Sequence, residues 1–418
     1  MKTRAIIMAG GPGSRLSVLT VKRTKPALPF AGKYRIIDFT LSNCVNSGIF
    51  DIMILAQYRP HSLIEHIGAG GPWDLNRDFT GGVRIFTPYT ARSSADWYLG
   101  TADAVQQNYS FVKQTRPDLV LILSGDHVYA MDYDALITFH HDHHADLTMA
   151  TIRVTPEDAT RFGIVGMGED YRVESFVEKP EHPPSDLANM GVYVFNAEVL
   201  DRALWEDHQR PNSNHDFGKD IIPHMIAEGR SVYAYPFTGY WVDVGTIQSY
   251  WQAHMDLLAN PPPLDLNDRG WVIHTRTEER PPVRIAKGAR IEDSMLSEGC
   301  VIETDALVQH SVLSPGVVVK RGAVINQSVL LTDCFIDTGA KLARSILDKR
   351  VCLGKDSRVG SQEPDTALTI IGKNSEIPAG MLVEPGATIG TDVIAADYLT
   401  DQVKADQIIQ TNRKPYEI

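Results

Sequence analysis

The chain is 418 residues long, 43% hydrophobic and 22% charged, with a net charge of −12; this excludes a disordered polypeptide and is too long for one ordinary domain, so two are expected. The acidic balance argues against nucleic acid or an anionic membrane as the main partner. Cys44, Cys300, Cys334 and Cys352 lack metal-type spacing and suit reduced thiols in a cytoplasmic protein, and the N-terminal apolar run is too short for a targeting or membrane-spanning segment.

The first predicted strand is Arg4–Ala9, and the stretch AGGPGSRLSVLTVKRTKP, Ala9–Pro26, follows directly. Gly10, Gly11 and Gly13 let the backbone turn and bring N–H groups close to phosphates, where a Cβ would obstruct. Arg15, Lys22, Arg23 and Lys25 add charge: the first 37 residues hold eight Lys or Arg and no Asp or Glu, against the trend of the whole chain. The stretch reads as a loop for a small polyanion such as a nucleoside triphosphate. Further strands are expected at Ile52–Ala56, Val83–Phe86, Leu119–Ser124, Leu147–Val154, Val173–Phe176, Gly191–Phe195 and Val232–Tyr235, with amphipathic segments such as Thr101–Thr115 and Tyr133–His144 between them. Runs such as LVLILS are apolar without alternation, as in strands covered on both faces. The fold class is α/β, Rossmann-like with a mostly parallel sheet. Its ligand is expected outside the carboxyl ends of the strands, where the glycine loop and SGDH fall.

Asn260-Pro261-Pro262-Pro263 opens a linker, giving a first domain over 1–259, a linker over 260–282 and a second domain over 283–418. There the aliphatic residues Ile285, Ile291, Leu296, Ile302, Val308, Leu313, Val319, Ile325, Leu330, Ile336, Leu342, Leu347, Leu353 and Val359 follow one another at steps of six or five, and Ile371, Ile377, Val383 and Ile389 resume the series after GSQEPDTAL. Neither an amphipathic helix nor a meander repeats this way. A three-sided parallel β-helix does, with each inward aliphatic stacked on the one a coil below. Resemblance to hexapeptide-repeat proteins implies a left-handed coil.

AGGPGSRL is neither GxGxxG nor GxxxxGK[ST], so the dinucleotide and P-loop readings fail on spacing. Taken with KRTKPALPFAGKYRIIDFTLSNCVNSGI, WYLGTADAV at Trp97–Val105, SGDHVY at Ser124–Tyr129, FVEKP at Phe176–Pro180, HDFGKD at His215–Asp220 and YWVDVGT at Tyr240–Thr246, it closely resembles the bacterial glucose-1-phosphate adenylyltransferases over nearly the whole chain. The glycine loop and EKP recur across sugar nucleotidyltransferases, whereas SNCVNSGI and WYLGTADAV are particular to the adenylyl branch. The resemblance implies adenylyl transfer from ATP to α-D-glucose 1-phosphate, giving ADP-glucose and pyrophosphate for glycogen synthesis, in an allosteric homotetramer.

By resemblance, Arg15 and Lys25 lie at the triphosphate, Gly100 and Thr101 near the nucleotide, and Lys179 holds the sugar phosphate. Tyr98, Gly163, Glu178 and Asn189 then surround glucose 1-phosphate. Lys22, with Arg23, Lys33 and Arg35 as a second basic set, meets anionic metabolite effectors. Asp126 and Asp243 each end an apolar run, and such a carboxylate pair suits one Mg²⁺ bridging the phosphates; either alone is also explained as a cap or turn aspartate. Two positions depart from the family pattern. Asn189 stands where many relatives carry serine, and Pro12 fills a loop position that is often basic.

Two other readings remain: a different sugar nucleotidyltransferase using dTTP, GTP or UTP, and a non-catalytic regulatory subunit. Loss of Arg15, Asp126, Lys179 or Asp243 would favour the latter, and all four are present. His140, His141, His143 and His144 are read as an exposed helix end rather than a metal site. His310 in the β-helix lacks the company an acyltransferase would need.

Overall fold

The computed structural model describes residues 1–11, 13–77, 79–88 and 97–414. The chain divides into two units, one made of Met1–Gly11, Ile37–Trp241 and Asp268–His274, the other of Pro12–Ile36, Val242–Asn267 and Thr275–Ile418.

The first unit contains β1 (Thr3–Met8), α1 (Ile36–Asn46, from Ile37 on), β2 (Asp51–Leu55), β3 (Gly82–Phe86), α2 (Thr101–Gln107), β4 (Leu119–Ser124), β5 (Leu147–Arg153), β6 (Gly163–Met167), β7 (Val173–Glu178), β8 (Leu187–Asn196), α3 (Ala197–His208) and β9 (Val232–Pro236). The sheet runs β7-β6-β8-β4-β1-β2-β3, with β5 on β8 and β9 on β5. The central pairs β4–β1, β1–β2 and β2–β3 are parallel, as is β9–β5. β8 runs antiparallel to β4, β5 and β6. Residues 119–123 of β4 are all buried, as the unbroken apolar run demands of a strand covered on both faces. Ile6 of β1 faces Met53 and Ile122 in register, and all three are within the core.

At the end of β4 the chain turns through Gly125, whose N–H donates to Met8 O at 3.0 Å. A Cβ there would lie 2.8 Å from Ile7 Cγ2 and 2.9 Å from Ile37 Cδ1, so only glycine lets the loop carrying Asp126 turn this tightly. The polar residues of SNCVN are structural. Asn43 Nδ2 donates to Tyr129 O at 3.2 Å, while its Oδ1 accepts from Met131 N–H at 3.2 Å and Trp271 Nε1–H at 2.9 Å. Ser42 and Asn46 bind His274 N–H and Val272 O, so one helix face ties down the segment 271–274.

Short strands such as His127–Tyr129 were not expected, and two larger departures from the sequence reading bear on the site. β6 was not expected, because its Gly163 and Gly166 break the strand pattern. Both glycines make room for the neighbouring strand, since a Cβ would stand 2.4 Å from Phe176 Cζ at Gly163 and 2.2 Å from Ser175 Oγ at Gly166. The segment Thr101–Thr115 is two helices, Thr101–Gln107 and Tyr109–Gln114. Between them Asn108 turns its amide onto Ala104 O at 2.9 Å and Tyr98 OH at 3.0 Å.

The second unit holds the hairpin Pro29–Phe30/Tyr34–Arg35, α4 (Ile247–Asp256) and the left-handed parallel β-helix. Its three sheets stack the inward residues as Ile285-Ile302-Val319-Ile336-Leu353-Ile377, Ile291-Val308-Ile325-Leu342-Val359-Val383 and Leu296-Leu313-Leu330-Leu347-Ile371-Ile389, the expected series. Ile285 in the first coil is exposed and Ile291 and Leu296 are partly buried, while from Ile302 on each residue of the stacks is buried and contributes roughly 2 kcal/mol of transfer free energy. Corners require left-handed backbone: Asp293, His310, Gln327 and Arg344 have φ of 41, 46, 46 and 43° in successive coils. His310 is therefore a corner residue. Beside it runs a serine ladder in which the N–H groups of Ser311, Ser328 and Ser345 donate to Oγ of Ser294, Ser311 and Ser328, each 17 residues earlier, at 3.1, 3.1 and 3.2 Å.

Candidate functional site

In the first unit, the residues expected around a sugar phosphate gather on β6, β7, β8 and the HDFGKD turn. Glu178 ends β7, and its carboxylate is crowded by glycine backbone: a Cβ on Gly163 or on Gly218 would lie 2.8 Å from Glu178 Oε2. Lys179 follows with left-handed backbone, φ 48°, its N–H donating to Phe162 O at 3.0 Å. Its ammonium reaches Glu178 Oε1 at 2.9 Å while the side chain stays 61% exposed, so the charge is aimed but open to a ligand.

Asn189 is already engaged: Nδ2 donates to Tyr193 OH at 2.7 Å and Oδ1 accepts Gly191 N–H at 3.1 Å. Because the amide donates to the phenolic oxygen, the Tyr193 O–H proton is left to point elsewhere. Burial pushes the Tyr193 phenol well above its usual range, against the Asn189 hydrogen bond, so it stays a donor at any working pH. The departure from serine thus leads to an oriented tyrosine, which the sequence reading missed.

The nucleotide-side residues form a second cluster in the same unit. Thr101 Oγ1 donates to Asp216 Oδ2 at 2.9 Å and accepts Phe217 N–H at 3.0 Å. Asp216 Oδ1 caps the next turn by accepting Gly218 and Lys219 N–H at 3.0 and 3.1 Å. Asp216 therefore joins Thr101 to the Gly218 that borders Glu178, a role the motif HDFGKD signalled without stating. Tyr98 OH accepts the Asn108 amide. Asp126 is partly exposed beyond β4, its Oδ1 3.5 Å from His127 Nε2. The His127 ring stands edge-on to Trp241 at 5.1 Å. Gly10 and Gly11 also belong to this unit; among the described residues, nothing lies within 4 Å of a Cβ on Gly11.

In the second unit, Gly13 is the loop glycine with left-handed backbone, φ 65°, and its carbonyl accepts Thr20 Oγ1–H at 2.9 Å. Pro12 lies outside the described residues. Lys25, buried, pairs with Asp243 at 2.5 Å. Gly245 completes the group: a Cβ there would lie 2.9 Å from both Asp243 carboxylate oxygens and 3.1 Å from Arg15 Nη2. Arg15 itself is exposed.

The basic set called effector-binding separates. Arg23 is 4% exposed, and its guanidinium is taken by Asp348 in a two-bond fork at 2.9 and 3.1 Å, an internal anchor of the unit. Lys22 pairs with Asp392 but remains a third exposed, and Lys33 lies 3.8 Å from Glu298. Burial, with Arg35 and Arg23 nearby, holds Lys349 down at about 8. Burial, Arg23 and Arg350 also lower Lys373. These two β-helix lysines belong with Lys22 and Arg35, and the sequence signal was the DKR following inward Leu347.

The histidine cluster is only partly an exposed helix end. His140 is buried, with Nδ1 2.9 Å from Thr148 Oγ1 and Nε2 3.4 Å from Asn196 Oδ1. Burial lowers its pKa, and it serves as core packing. Among the described residues, no helix is long and apolar enough to cross a membrane.

Comparisons with known proteins agree with this arrangement. The family model for nucleotidyl transferases matches residues 4–260, and the GlmU-like C-terminal hexapeptide model matches 283–372. A glucose-1-phosphate adenylyltransferase of Pseudothermotoga lettingae is 49% identical over 98% of this chain and 99% of its own. That of Thermotoga maritima is 54% identical over 72% of this chain and 71% of its own. The enzyme of that name in Bacillus thuringiensis is 50% identical over 73% and 81%. With a matching transferase domain, a matching hexapeptide domain and half of all positions shared end to end, the chain belongs to the glucose-1-phosphate adenylyltransferases of the nucleotidyl transferase family.

Proposed function

We propose that the protein transfers the adenylyl group of ATP to α-D-glucose 1-phosphate, releasing pyrophosphate and forming ADP-glucose for glycogen synthesis. The observation that carries this reading is the 49% identity to a glucose-1-phosphate adenylyltransferase over 98% of the chain. The sugar phosphate, with a second pKa of about 6 like other phosphomonoesters, is largely dianionic near neutral pH and needs no base. What an in-line attack on the α-phosphorus needs is alignment, charge neutralisation and a stabilised leaving group.

Each requirement has residues assigned to it. Lys179, exposed and aimed by its left-handed backbone, binds the sugar phosphate, while Glu178, Asn189, Tyr98 and the backbone at Gly163 bind and orient the glucosyl hydroxyls. Gly100 and Thr101 border the nucleotide, and the backbone at Gly10, Gly11 and Gly13 is assigned to the phosphates. Arg15 and Lys25 neutralise the triphosphate and the departing pyrophosphate. Asp126 and Asp243 are the carboxylates assigned to Mg²⁺; hard oxygen donors suit that ion, and neither is sealed in an apolar core. When bound, the ion would neutralise phosphate charge.

Lys22, Arg35, Lys349 and Lys373 are assigned to an anionic metabolite effector, supported by lysines whose charge is costly until an anion arrives. A cytoplasmic homotetramer is the assembly proposed by resemblance. The test is purified protein with glucose 1-phosphate, Mg²⁺ and each of ATP, dTTP, GTP and UTP. Pyrophosphate release and ADP-glucose formation with ATP alone are the expected outcome; a preference for another nucleotide, or no product with any effector, overturns the reading.

A further inference from the structure

Helix α2 begins within the WYLGTADAV motif, yet its N-cap, Gly100, has no side chain to satisfy the first helical N–H groups. One distant carbonyl does so: His215 O accepts from Ala102 N–H at 2.9 Å and Asp103 N–H at 3.2 Å. The approach is so close that a Cβ on Gly100 would stand 2.2 Å from that oxygen and 2.5 Å from Asn214 O. Those two N–H groups are thereby spent on the protein, and the position of the Gly100–Thr101 turn depends on where His215 holds its carbonyl.

His215 holds it in an unfavourable conformation. Its φ is 55°, in the left-handed region that is uncommon for residues other than glycine. The conformation is fixed by three hydrogen bonds that meet around one buried carboxylate, Asp207 on the last turn of α3. His215 Nδ1–H donates to Asp207 Oδ2 at 2.8 Å, Ser213 Oγ–H donates to Asp207 Oδ1 at 2.7 Å, and His215 N–H donates to Ser213 Oγ at 2.9 Å. Asp207 is 3% exposed, so both its oxygens are committed to this task. The next residue, Asp216, then receives the Thr101 hydroxyl.

We propose that Asp207, Ser213 and His215 are positioning residues for the nucleotide end of the site: the carboxylate locks His215 in its left-handed conformation, and the His215 carbonyl sets the Gly100–Thr101 turn against Asp216. The inference rests on the reading of Gly100 and Thr101 as nucleotide contacts. It assigns the Asp207–His215 pair no proton transfer. The pair resembles a catalytic dyad, but what it delivers to the site is a backbone carbonyl.

The experiment compares the full-length protein with His215→Ala, His215→Asn and Ser213→Ala. Asparagine tolerates left-handed backbone and its amide can still donate to Asp207. ATP and glucose 1-phosphate binding are measured separately by calorimetry, and hydrogen exchange is followed across residues 101–107. His215→Ala is expected to weaken ATP binding at least tenfold, with glucose 1-phosphate binding within threefold of the parent, and to speed exchange at the start of α2 at least tenfold. His215→Asn is expected to recover most of both losses, and Ser213→Ala to fall between. Equal loss of both ligands, no rescue by asparagine, or unchanged exchange overturns the proposal. If the parent protein fails to bind ATP, the nucleotide reading falls, and the exchange measurement still decides whether His215 holds the turn.

Discussion

His254 offers a titration whose sign and size follow from its surroundings. It lies fully buried on α4, donating from Nδ1–H to Tyr250 O at 2.8 Å and accepting Ala31 N–H on Nε2 at 3.1 Å. Burial, partly offset by the bond to Tyr250 O, lowers its pKa from 6.5 to about 4. Protonation would put a hydrogen on Nε2, where Ala31 N–H already points, so the charged ring must leave its place. The unfolded chain takes up this proton at higher pH than the folded one. The stabilisation is therefore whole above the unfolded pKa and is lost as pH falls from about 7 towards 4. Between pH 8 and pH 5 the loss is about 2 kcal/mol, roughly thirtyfold in the local opening equilibrium. The assay is hydrogen exchange of the peptide containing Ala31, corrected for intrinsic rate, in the parent and in His254→Gln, which does not titrate. Protection in the parent is expected to fall about thirtyfold relative to the variant over that range. A gap between the two that stays constant with pH would refute the reasoning. The hairpin so held carries Arg35 at its end, so acid should also loosen that residue before it unfolds the β-helix.

Other expectations follow from single contacts. Gly245→Ala would push a methyl into both Asp243 oxygens and Arg15 Nη2, so kcat should fall at least a hundredfold, about 3 kcal/mol in transition-state stabilisation, with little change in melting temperature; near-normal turnover would show that the two groups move freely. Asn189→Ser removes the donor to Tyr193 OH, and KM for glucose 1-phosphate should rise about threefold to tenfold, a loss of roughly 1 kcal/mol, while KM for ATP holds. Asp126→Asn should nearly abolish turnover yet leave glucose 1-phosphate affinity nearly intact, measured by calorimetry; a modest loss that follows an ordinary carboxylate titration would count against a metal-binding role. Lys349, held at about 8, should lose its charge as pH rises past that value, so inorganic phosphate should bind more weakly at pH 9 than at pH 7. Lys349→Gln should flatten that dependence and, by removing a buried charge, raise the melting temperature at pH 7.

How legible the chain was depended on whether a residue acts through periodicity or through a distant partner. The β-helix was readable almost residue by residue, because a coil that stacks like on like must repeat its inward aliphatics, and the strands β1, β2 and β4 were readable because double-sided burial leaves an unbroken apolar run. β6 was missed because its glycines answer to Phe176 and Ser175 across the sheet, which no local pattern records. The same holds at the candidate site. Arg23 looks like any loop arginine until Asp348, 325 residues away, closes on it. The DKR that holds Lys349 shows only charge and Lys373 has no motif, and the interest of both arises from burial among other cations. His215 was quoted within a motif, but its importance lies in a carbonyl and a backbone angle, neither of which its residue type announces.

The basic N-terminal stretch changes meaning once its partners are known. On sequence alone it is a cationic patch awaiting a polyanion. In the folded unit Lys22, Arg23, Lys25 and Lys33 each stand beside a carboxylate, Asp392, Asp348, Asp243 and Glu298, while Arg15 forms no ion pair among the described residues. An isolated cluster of such charges would repel itself and bind any anion indiscriminately. Paired, each cation is held in one place at low electrostatic cost, and an incoming phosphate must offer more than charge to win it. For Lys25 the competition has a definite consequence. A ligand that takes its ammonium draws the lysine charge away from Asp243, whose side chain is 12% exposed, and weaker compensation of a largely buried carboxylate is costly. Only a ligand that brings positive charge of its own answers both groups at once. A triphosphate carrying a divalent cation does so, and a bare anion does not. Selectivity for the substrate over other cellular polyanions can therefore reside in the carboxylate that accompanies the lysine as much as in the lysine itself.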